Sequence, residues 1–272
     1  MRRLARHLYR RFYMPLREAI CLRERINRLE ILLAEHPDVM PRGLPEPRFP
    51  SPAVSVIMPV WNRGALVVDA IRSVQAQRFT DWELIIVDDG STDNTPETIA
   101  TFTSDARIRY VSQPHAGQST ARNHALRLSK GALIAYLDSD NVWYPGFLAG
   151  AVSVFATDPS CDCAYGAMVT EAHLPEGQRI LFEKFSRKKL RRRNFIGMST
   201  FIHRRSLYER HGGFDEALRS LEDWDLVLRY TQEKPAIRVP FLAVRYRSLD
   251  AHRVTLTESL EAGRNQIRRK WR

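Results

Sequence analysis

The sequence of 272 residues predicts an α/β fold with a mostly parallel central sheet flanked by helices. Apolar runs with strand character alternate with amphipathic helical segments from Ala53 onward. Two of these runs end in acids, at Asp88-Asp89 and at Asp138-Ser139-Asp140. Sheets of this kind bind ligands at the carboxyl ends of their strands, so the two acidic turns predict one polar crevice. Acids gathered there repel each other unless a cation or a hydrogen-bonding ligand lies between them.

The elements of the first half follow one another in the order βαβαβαβ. The pattern predicts strands at 54–59, 82–87, 108–111 and 132–137, and helices at 65–76, 95–102 and 119–128. Asp93 is placed to cap the second of these helices. Because crossover connections join parallel strands, this order predicts a parallel sheet. After about residue 160 the pattern loosens into short strands and helices, which is typical of a substrate-specific half.

The N-terminal residues 1–36 are predicted to form a helical extension, joined by a Pro-rich linker over 37–52. Residues 1–17 contain six arginines and no acid, in the pattern of a basic amphipathic helix that lies on an anionic membrane surface. Residues 19–33 carry apolar side chains at coiled-coil spacing. This seam is compatible with docking onto the protein's own core and with homo-oligomer formation. Residues 256–272 are predicted to be a basic C-terminal helix or tail.

The net charge of +11 is concentrated in residues 1–17, 187–193 and 268–272, away from the acidic turns. The sequence contains no zinc finger, ribonucleoprotein motif or basic zipper, so nucleic acid is a disfavoured partner. Anionic lipid and phosphate-rich substrates fit this charge at least as well. The run 187–193 is compatible with a mobile lid that contacts phosphate and with a solvated charged loop.

The odd cysteine count and the absence of a long apolar run indicate the cellular setting. Cys21, Cys161 and Cys163 are expected to be reduced structural thiols. No stretch has the length and apolarity needed to cross a bilayer. The expected location is therefore cytoplasmic, with peripheral attachment to the inner face of the membrane as an option.

Five segments, in this order, resemble family 2 glycosyltransferases. They are Val54-Ser55-Val56-Ile57-Met58-Pro59-Val60-Trp61-Asn62, Val87-Asp88-Asp89-Gly90-Ser91, Gly117-Gln118-Ser119-Thr120-Ala121-Arg122-Asn123, Leu137-Asp138-Ser139-Asp140, and Gly212-Gly213-Phe214-Asp215-Glu216 with Glu222-Asp223-Trp224. The resemblance implies a GT-A type Rossmann-like fold with a catalytic domain over 53–255. Its nucleotide-binding half would be 53–142 and its acceptor half 143–255.

The resemblance also implies which residues bind the donor nucleotide: Pro59, Trp61, Asn62, Asp88, Asp89, Arg122, Asp138 and Ser139. A carboxylate at Asp89 can accept the imide N–H of a uracil or thymine ring, although a tight turn also explains these acids. Trp61 is expected to stack on the base or to pack in the core. Arg122 is expected to neutralise phosphate, to hold Asp89, or to form an ordinary surface salt bridge.

The cofactor implied by the resemblance is Mg²⁺ or Mn²⁺ at the Asp138-Ser139-Asp140 turn. Asp138 is expected on the ribose side and Asp140 on the metal, since hard carboxylate oxygens suit these cations. His252 is a looser match to a residue that completes the metal or diphosphate site, and a surface histidine explains it as well. Asn141 stands where the family pattern commonly has another acid, which leaves one anionic ligand fewer.

On the acceptor side, the resemblance implies that Asp223 is the general base. Glu222, Trp224 and Gly213 are expected to border the acceptor, with Trp224 as a wall for its sugar and Gly213 giving backbone access to the donor. Acids in the first turn of a helix are also ordinary dipole partners.

The function implied is that of an inverting, metal-dependent glycosyltransferase. It would move a sugar from a nucleotide diphosphate sugar, a UDP-sugar above all, to a saccharide or lipid-linked acceptor in bacterial surface glycan synthesis. Two alternatives remain open at this point. One is a nucleotide-sugar nucleotidyltransferase, and the other is a non-catalytic membrane- or nucleic-acid-binding module on the same fold.

Overall fold

The structure, a computed structural model, describes residues 49–170, 179–218, 220–247 and 260–271. The predicted extension over 1–36, most of the linker and His252 lie outside the described residues, so the expectations for membrane binding, self-association and His252 stay predictions. No helix in the described ranges is long and apolar enough to cross a bilayer. Cys161 and Cys163 are buried free thiols, and burial raises the pKa of Cys161 to about 12.

The first half confirms the predicted order of elements, each within two residues of its expected bounds. Its strands are β1 (Val54–Val60), β2 (Trp82–Asp88), β3 (Ile108–Ser112) and β4 (Leu133–Tyr136). Its helices are α1 (Val67–Gln75), α2 (Thr95–Ala100) and α3 (Gln118–Leu128). Asp93 accepts the backbone N–H of Thr95 at 3.0 Å, so it caps α2 from just outside the helix.

The second half alternates short strands and helices. They are β5 (Val142–Trp143), α4 (Phe147–Thr157), β6 (Cys163–Thr170), β7 (Arg179–Leu181), α5 (Arg187–Leu190), β8 (Phe201–Arg204), α6 (Arg205–His211), α7 (Glu222–Tyr230), β9 (Ile237–Tyr246) and α8 (Leu260–Lys270). A short 3₁₀ turn over Met198–Thr200 precedes β8.

All nine strands of the described ranges belong to one sheet, in the order β3-β2-β1-β4-β8-β6-β9-β5, with β7 paired to β6. β3, β2, β1 and β4 are parallel neighbours, as predicted. β8 then pairs antiparallel with β4 and with β6. This pairing attaches the second half to the edge of the first half.

Helices cover both faces of the sheet and enclose two apolar cores. Alternate residues of β1 enter different cores, because successive strand side chains point to opposite faces. Val56 and Met58 pack with α1, α2 and α4. Ile57 packs with α3, α6, α7 and α8. The two-sided burial accounts for the continuous apolar runs in the sequence.

Candidate active site

A cleft of about 790 Å³ opens at the carboxyl ends of the parallel strands. It is the crevice that the two acidic turns predict. The elements α3, α7 and the segment before β8 supply its other walls. The sequence-predicted residues that line it are Pro59, Trp61, Asp89, Arg122, Asp138, Ser139, Asp140, Glu222 and Asp223.

Asp88 closes β2 but supports the turn rather than the cleft. It is 1% exposed. One carboxylate oxygen accepts the N–H of Ser91 at 2.9 Å, and the other accepts the hydroxyl of Tyr110 at 2.9 Å. Both oxygens accept hydrogen bonds from protein groups, and Asp88 does not line the cleft. The predicted contact of Asp88 with the nucleotide stays a prediction.

Asp89 faces the cleft with a carboxylate that is surrounded by donors from the loop between β3 and α3. Oδ1 accepts from Gln113 Nε2 at 2.7 Å and from the N–H of Ala116 at 2.9 Å. Oδ2 accepts from the N–H of Gly117 at 2.8 Å and lies 2.9 Å from His115 Nδ1. Three donors therefore bond to the carboxylate, while the imidazole Nδ1 bonds to the backbone carbonyl of Asp89 at 3.0 Å and lies beside Oδ2. A base N–H can reach Oδ2 only if the His115 imidazole moves aside.

Trp61 lies beside Asp89 in the cleft and not in the core. It is 47% exposed, and its ring stacks on the imidazole of His115 with centroids 4.5 Å apart and planes 25° apart. Of the alternatives for Trp61, core packing is therefore excluded.

Asn62 supports the neighbouring turn instead of lining the cleft. Its side-chain oxygen accepts the backbone N–H of Thr92 at 2.8 Å, and its own N–H donates to Ser91 Oγ at 2.9 Å. Its φ of 51° lies in the left-handed region, which Asn tolerates better than most residues. The amide oxygen is thus used by the turn, and the predicted nucleotide contact by Asn62 stays a prediction.

Arg122 joins the two halves of the site. It is 3% exposed, and it donates to Asp138 Oδ1 at 2.7 Å and to Glu222 Oε1 at 2.8 Å. Its guanidinium also lies 5.0 Å above the ring of Phe214. The expected pairing of Arg122 with Asp89 is wrong, and so is a surface salt bridge, because this cation is buried between other acids. Such pairs are held by low-dielectric surroundings and by hydrogen bonds together.

Asp223 lines the cleft from the first turn of α7. Its Oδ2 accepts from Asn194 Nδ2 at 3.0 Å, and its Oδ1 accepts the N–H of Trp224 at 2.7 Å. Asn194 is a cleft residue that the sequence analysis did not single out as a contact of Asp223. The separation of 29 positions carries no spacing signal that pairs the two.

The surroundings of Asp223 raise its pKa to about 7. Burial is the largest cause, followed by the neighbouring charge of Glu222. Arg122 and the N–H of Trp224 act in the opposite direction, while Asp138 adds to the rise. A carboxylate with a pKa near neutrality is suited to take a proton from a hydroxyl group at physiological pH.

The profile of the family described as glycosyl transferase family 2 matches residues 55–212, more than half of the chain. The chain belongs to glycosyl transferase family 2. This confirms the sequence-based identification of a glycosyltransferase. A nucleotidyltransferase and a module without catalysis receive no support from the match.

Two relatives in this family come from Escherichia coli. WcaA of strain K12, assigned to glycosyl transfer in colanic acid biosynthesis, is 32% identical over 67% of this chain and 67% of its own length. WfgD is named a UDP-Glc:α-D-GlcNAc-diphosphoundecaprenol β-1,3-glucosyltransferase. It is 31% identical over 71% of this chain and 76% of its own length.

Solved structures of glycosyltransferases share the fold. TarS of S. aureus (residues 1–349, in complex with UDP-GlcNAc) superposes with a TM-score of 0.65 at 18% identity, over 79% of this chain and 64% of that chain. The mannosyltransferase PcManGT of Pyrobaculum calidifontis, in complex with GDP-Man and Mn²⁺, gives 0.59 at 21% identity, over 76% and 61%. The chain thus spans less than two thirds of these proteins, and the likeness confirms the GT-A fold.

The turn after β4 shows why this family 2 chain carries Asn141 where an acid is common. Asn141 is 1% exposed. Its Nδ2 donates to Asp138 Oδ2 at 3.4 Å and to Ser199 Oγ at 3.3 Å, while its Oδ1 accepts the N–H of Arg247 at 3.4 Å. An aspartate at this position could not donate to Asp138. Asn141 is therefore part of the support of Asp138 and does not face the cleft.

The donor set at this turn fits a divalent cation that is shared with substrate phosphates. Asp140 and Ser139 line the cleft, whereas Asp138 is already paired with Arg122. The described ranges hold no group of three His, Cys, Asp or Glu side chains suited to a metal. Mg²⁺ typically takes only one or two carboxylates and completes its shell with phosphate oxygens and water. An Asp140 carboxylate at the cleft wall is compatible with that mode.

Two acceptor-side predictions are wrong. Trp224 is 2% exposed, and its indole N–H donates to the carbonyl of Leu190 at 2.6 Å, so it cannot wall an acceptor. Gly213 lies against α3 and away from the cleft, where a Cβ would clash with the Asn123 amide oxygen. Its lack of a side chain serves helix packing and not the approach of a donor. Glu222 does line the cleft, but its carboxylate is paired with Arg122.

Proposed function

We propose that this chain is an inverting, metal-dependent glycosyltransferase that uses a UDP-sugar. It moves one sugar to a hydroxyl group of a saccharide or lipid-linked acceptor in bacterial surface glycan synthesis. The observation that carries the proposal is the position of Asp223, in one cleft with Asp89 and the Asp138-Ser139-Asp140 turn. The names of the family 2 relatives, one with a UDP-sugar donor and a lipid-linked acceptor, support the same substrate classes.

At the nucleotide end of the cleft, Asp89 and Trp61 bind the base. Once the His115 imidazole moves aside, Asp89 accepts an imide N–H and the Trp61 ring stacks on the base. Asp138 and Ser139 lie where the ribose is expected. Arg122 keeps the Asp138 carboxylate oriented through its 2.7 Å hydrogen bond.

Asp140 would hold the divalent cation, with His252 as a further ligand. When bound, the cation stabilises the negative charge of the leaving diphosphate. The protein's own groups do the remaining work of binding, orientation and proton transfer.

At the acceptor end, Asp223 removes the proton of the acceptor hydroxyl group. The freed oxygen forms the new bond to the anomeric carbon, and the bond from that carbon to the diphosphate oxygen breaks with its electron pair leaving on the nucleoside diphosphate. A base on the face opposite the leaving group gives inversion of configuration. Proton transfer to a positioned base contributes about 10²–10⁴ to the rate.

A panel of UDP-, GDP- and dTDP-sugars, each with and without Mn²⁺, tests this proposal by thermal unfolding. A ligand that binds only the folded state raises the melting temperature by mass action. We expect the largest rise with a UDP-sugar and Mn²⁺ together. Absence of any rise across the panel would count against a nucleotide-sugar donor. Release of UDP without pyrophosphate is the accompanying product test.

A further inference from the structure

The Asp223 carboxylate is held by one donor on each oxygen. Asn194 Nδ2 donates to Oδ2 at 3.0 Å, and the N–H of Trp224 donates to Oδ1 at 2.7 Å. The orientation of the Asn194 amide is itself determined, because its Oδ1 accepts the N–H of Ile196 at 3.1 Å. The NH₂ group must therefore be the one that faces Asp223.

Both donors are anchored to the same segment of chain. The indole of Trp224 donates to the carbonyl of Leu190, whose side chain is fully buried in the core. Asn194 follows four residues later and lines the cleft. The segment 190–196 thus supplies one of the two donors directly, through Asn194, and fixes the indole of Trp224, whose backbone N–H on α7 is the other donor.

We infer that Asn194 is a positioning residue that orients the carboxylate of Asp223 and favours its charged form. The inference rests on the proposed function, in which Asp223 is the base. Asn194 acts through Asp223 and takes no proton itself. An amide N–H that donates to a carboxylate stabilises the anion, since hydrogen bonds to the charged form lower the pKa of an acid.

The charged groups around Asp223 make this neutral donor important. The negative charges of Glu222 on α7 and Asp138 after β4 disfavour ionisation of Asp223, while the positive charge of Arg122 on α3 favours it. Loss of the Asn194 donor would therefore favour the protonated form of Asp223. Asn194→Asp goes further, because it keeps the side-chain shape and replaces the donor with another carboxylate.

Direct titration of Asp223 in the full-length chain tests the inference. The protein is labelled with ¹³C at aspartate carboxyl groups, and the Asp223 resonance is identified by its absence in Asp223→Asn. We expect its midpoint to rise by about one pH unit in Asn194→Ala, the worth of one hydrogen bond to a charged group. In Asn194→Asp the rise is at least as large. The acid limb of the pH–rate profile moves with it, while the KM for the donor does not change.

Asn265, exposed on α8, provides the matched control, and Asn265→Asp is expected to leave the midpoint unchanged. If Asn194→Asp fails to fold, Asn194→Ala alone decides. An unchanged Asp223 midpoint in Asn194→Ala would overturn the inference. The titration does not require turnover. A wild-type chain that transfers no sugar would contradict the proposed function, but the effect of Asn194→Ala on the Asp223 midpoint could still be measured.

Discussion

Arg122 and Glu222 join the two halves of this glycosyltransferase by a buried ion pair of 2.8 Å. Arg122 belongs to α3 of the nucleotide-binding half, and Glu222 begins α7 of the acceptor half. The same guanidinium also binds Asp138, so one cation neutralises an acid from each side of the cleft. Side chains within the site thus join the two halves in addition to the pairing of β8 with β4.

Removal of this cation should destabilise the fold strongly. Arg122→Met leaves Asp138 and Glu222 without their shared partner, which costs about 3–5 kcal/mol of unfolding free energy. Urea unfolding measures the change. Arg210→Met is the matched control, because the exposed pair of Arg210 with Glu233 should contribute less than about 1 kcal/mol. Equal losses of unfolding free energy in the two variants would show that the buried pair stabilises the fold no more than the exposed pair does.

His115 should compete with the base for its site. The imidazole stacks on Trp61 and points Nδ1 at Asp89, the contacts that the proposed base needs. His115→Ala should therefore tighten binding of UDP by roughly two- to tenfold, the worth of one net hydrogen bond. Calorimetry with UDP and Mn²⁺ measures the dissociation constant.

His211 serves as the control for His115. It lies at the end of α6 beside Tyr230 and does not line the cleft, so His211→Ala should change UDP affinity less. Weaker binding of UDP by His115→Ala would mean that the imidazole is part of the base platform and not its competitor.

The raised pKa of Asp223 should appear in the pH dependence of stability. Its pKa of about 7 in the folded state exceeds the ordinary value of 3.8 for an aspartate, so the folded chain binds this proton more tightly than the unfolded chain. The stability that this provides is present at low pH and is lost as the pH rises through about 7. In Asp223→Asn, this loss of stability with rising pH is absent.

The unfolding free energy of Asp223→Asn relative to wild type should therefore increase between about pH 5 and pH 8. Urea unfolding at several pH values measures it. A difference that stays constant across this range would contradict the raised pKa.

Asn141→Asp should destabilise the turn without improving the metal site. The new carboxylate cannot donate to Asp138 Oδ2 and would instead repel it in a buried position. We expect a loss of about 1–3 kcal/mol in unfolding free energy at neutral pH. Calorimetry should find no gain in Mn²⁺ affinity with UDP present. Tighter Mn²⁺ binding at unchanged stability would show that position 141 faces the cation.

The nucleotide-binding half could be predicted from the sequence because its signals are local. Apolar runs, helical periodicity and acids at strand ends determine β1 to β4 and place Asp89, Asp138 and Asp140 at one edge. The antiparallel strands of the second half could not be ordered in this way. Their pairing, such as β8 beside β4, depends on contacts between residues far apart in the chain.

Side-chain direction was the main source of error at the site. Trp224 follows Asp223 directly, yet α7 turns it into the core while Asp223 faces the cleft. Adjacent helical positions point about 100° apart, and the sequence does not say which of the two meets the ligand. The partner of Asp223, Asn194, carries no motif at all. Its role follows only from the fold.

The most direct test of the account is the rate of sugar transfer by Asp223→Asn, compared with its affinity for UDP. The asparagine keeps the shape of the side chain but cannot accept the proton of the acceptor hydroxyl group. The account predicts a fall in the transfer rate of at least about 10²-fold, with UDP binding close to that of wild type. Transfer at a rate near that of wild type would contradict the assignment of Asp223 as the base.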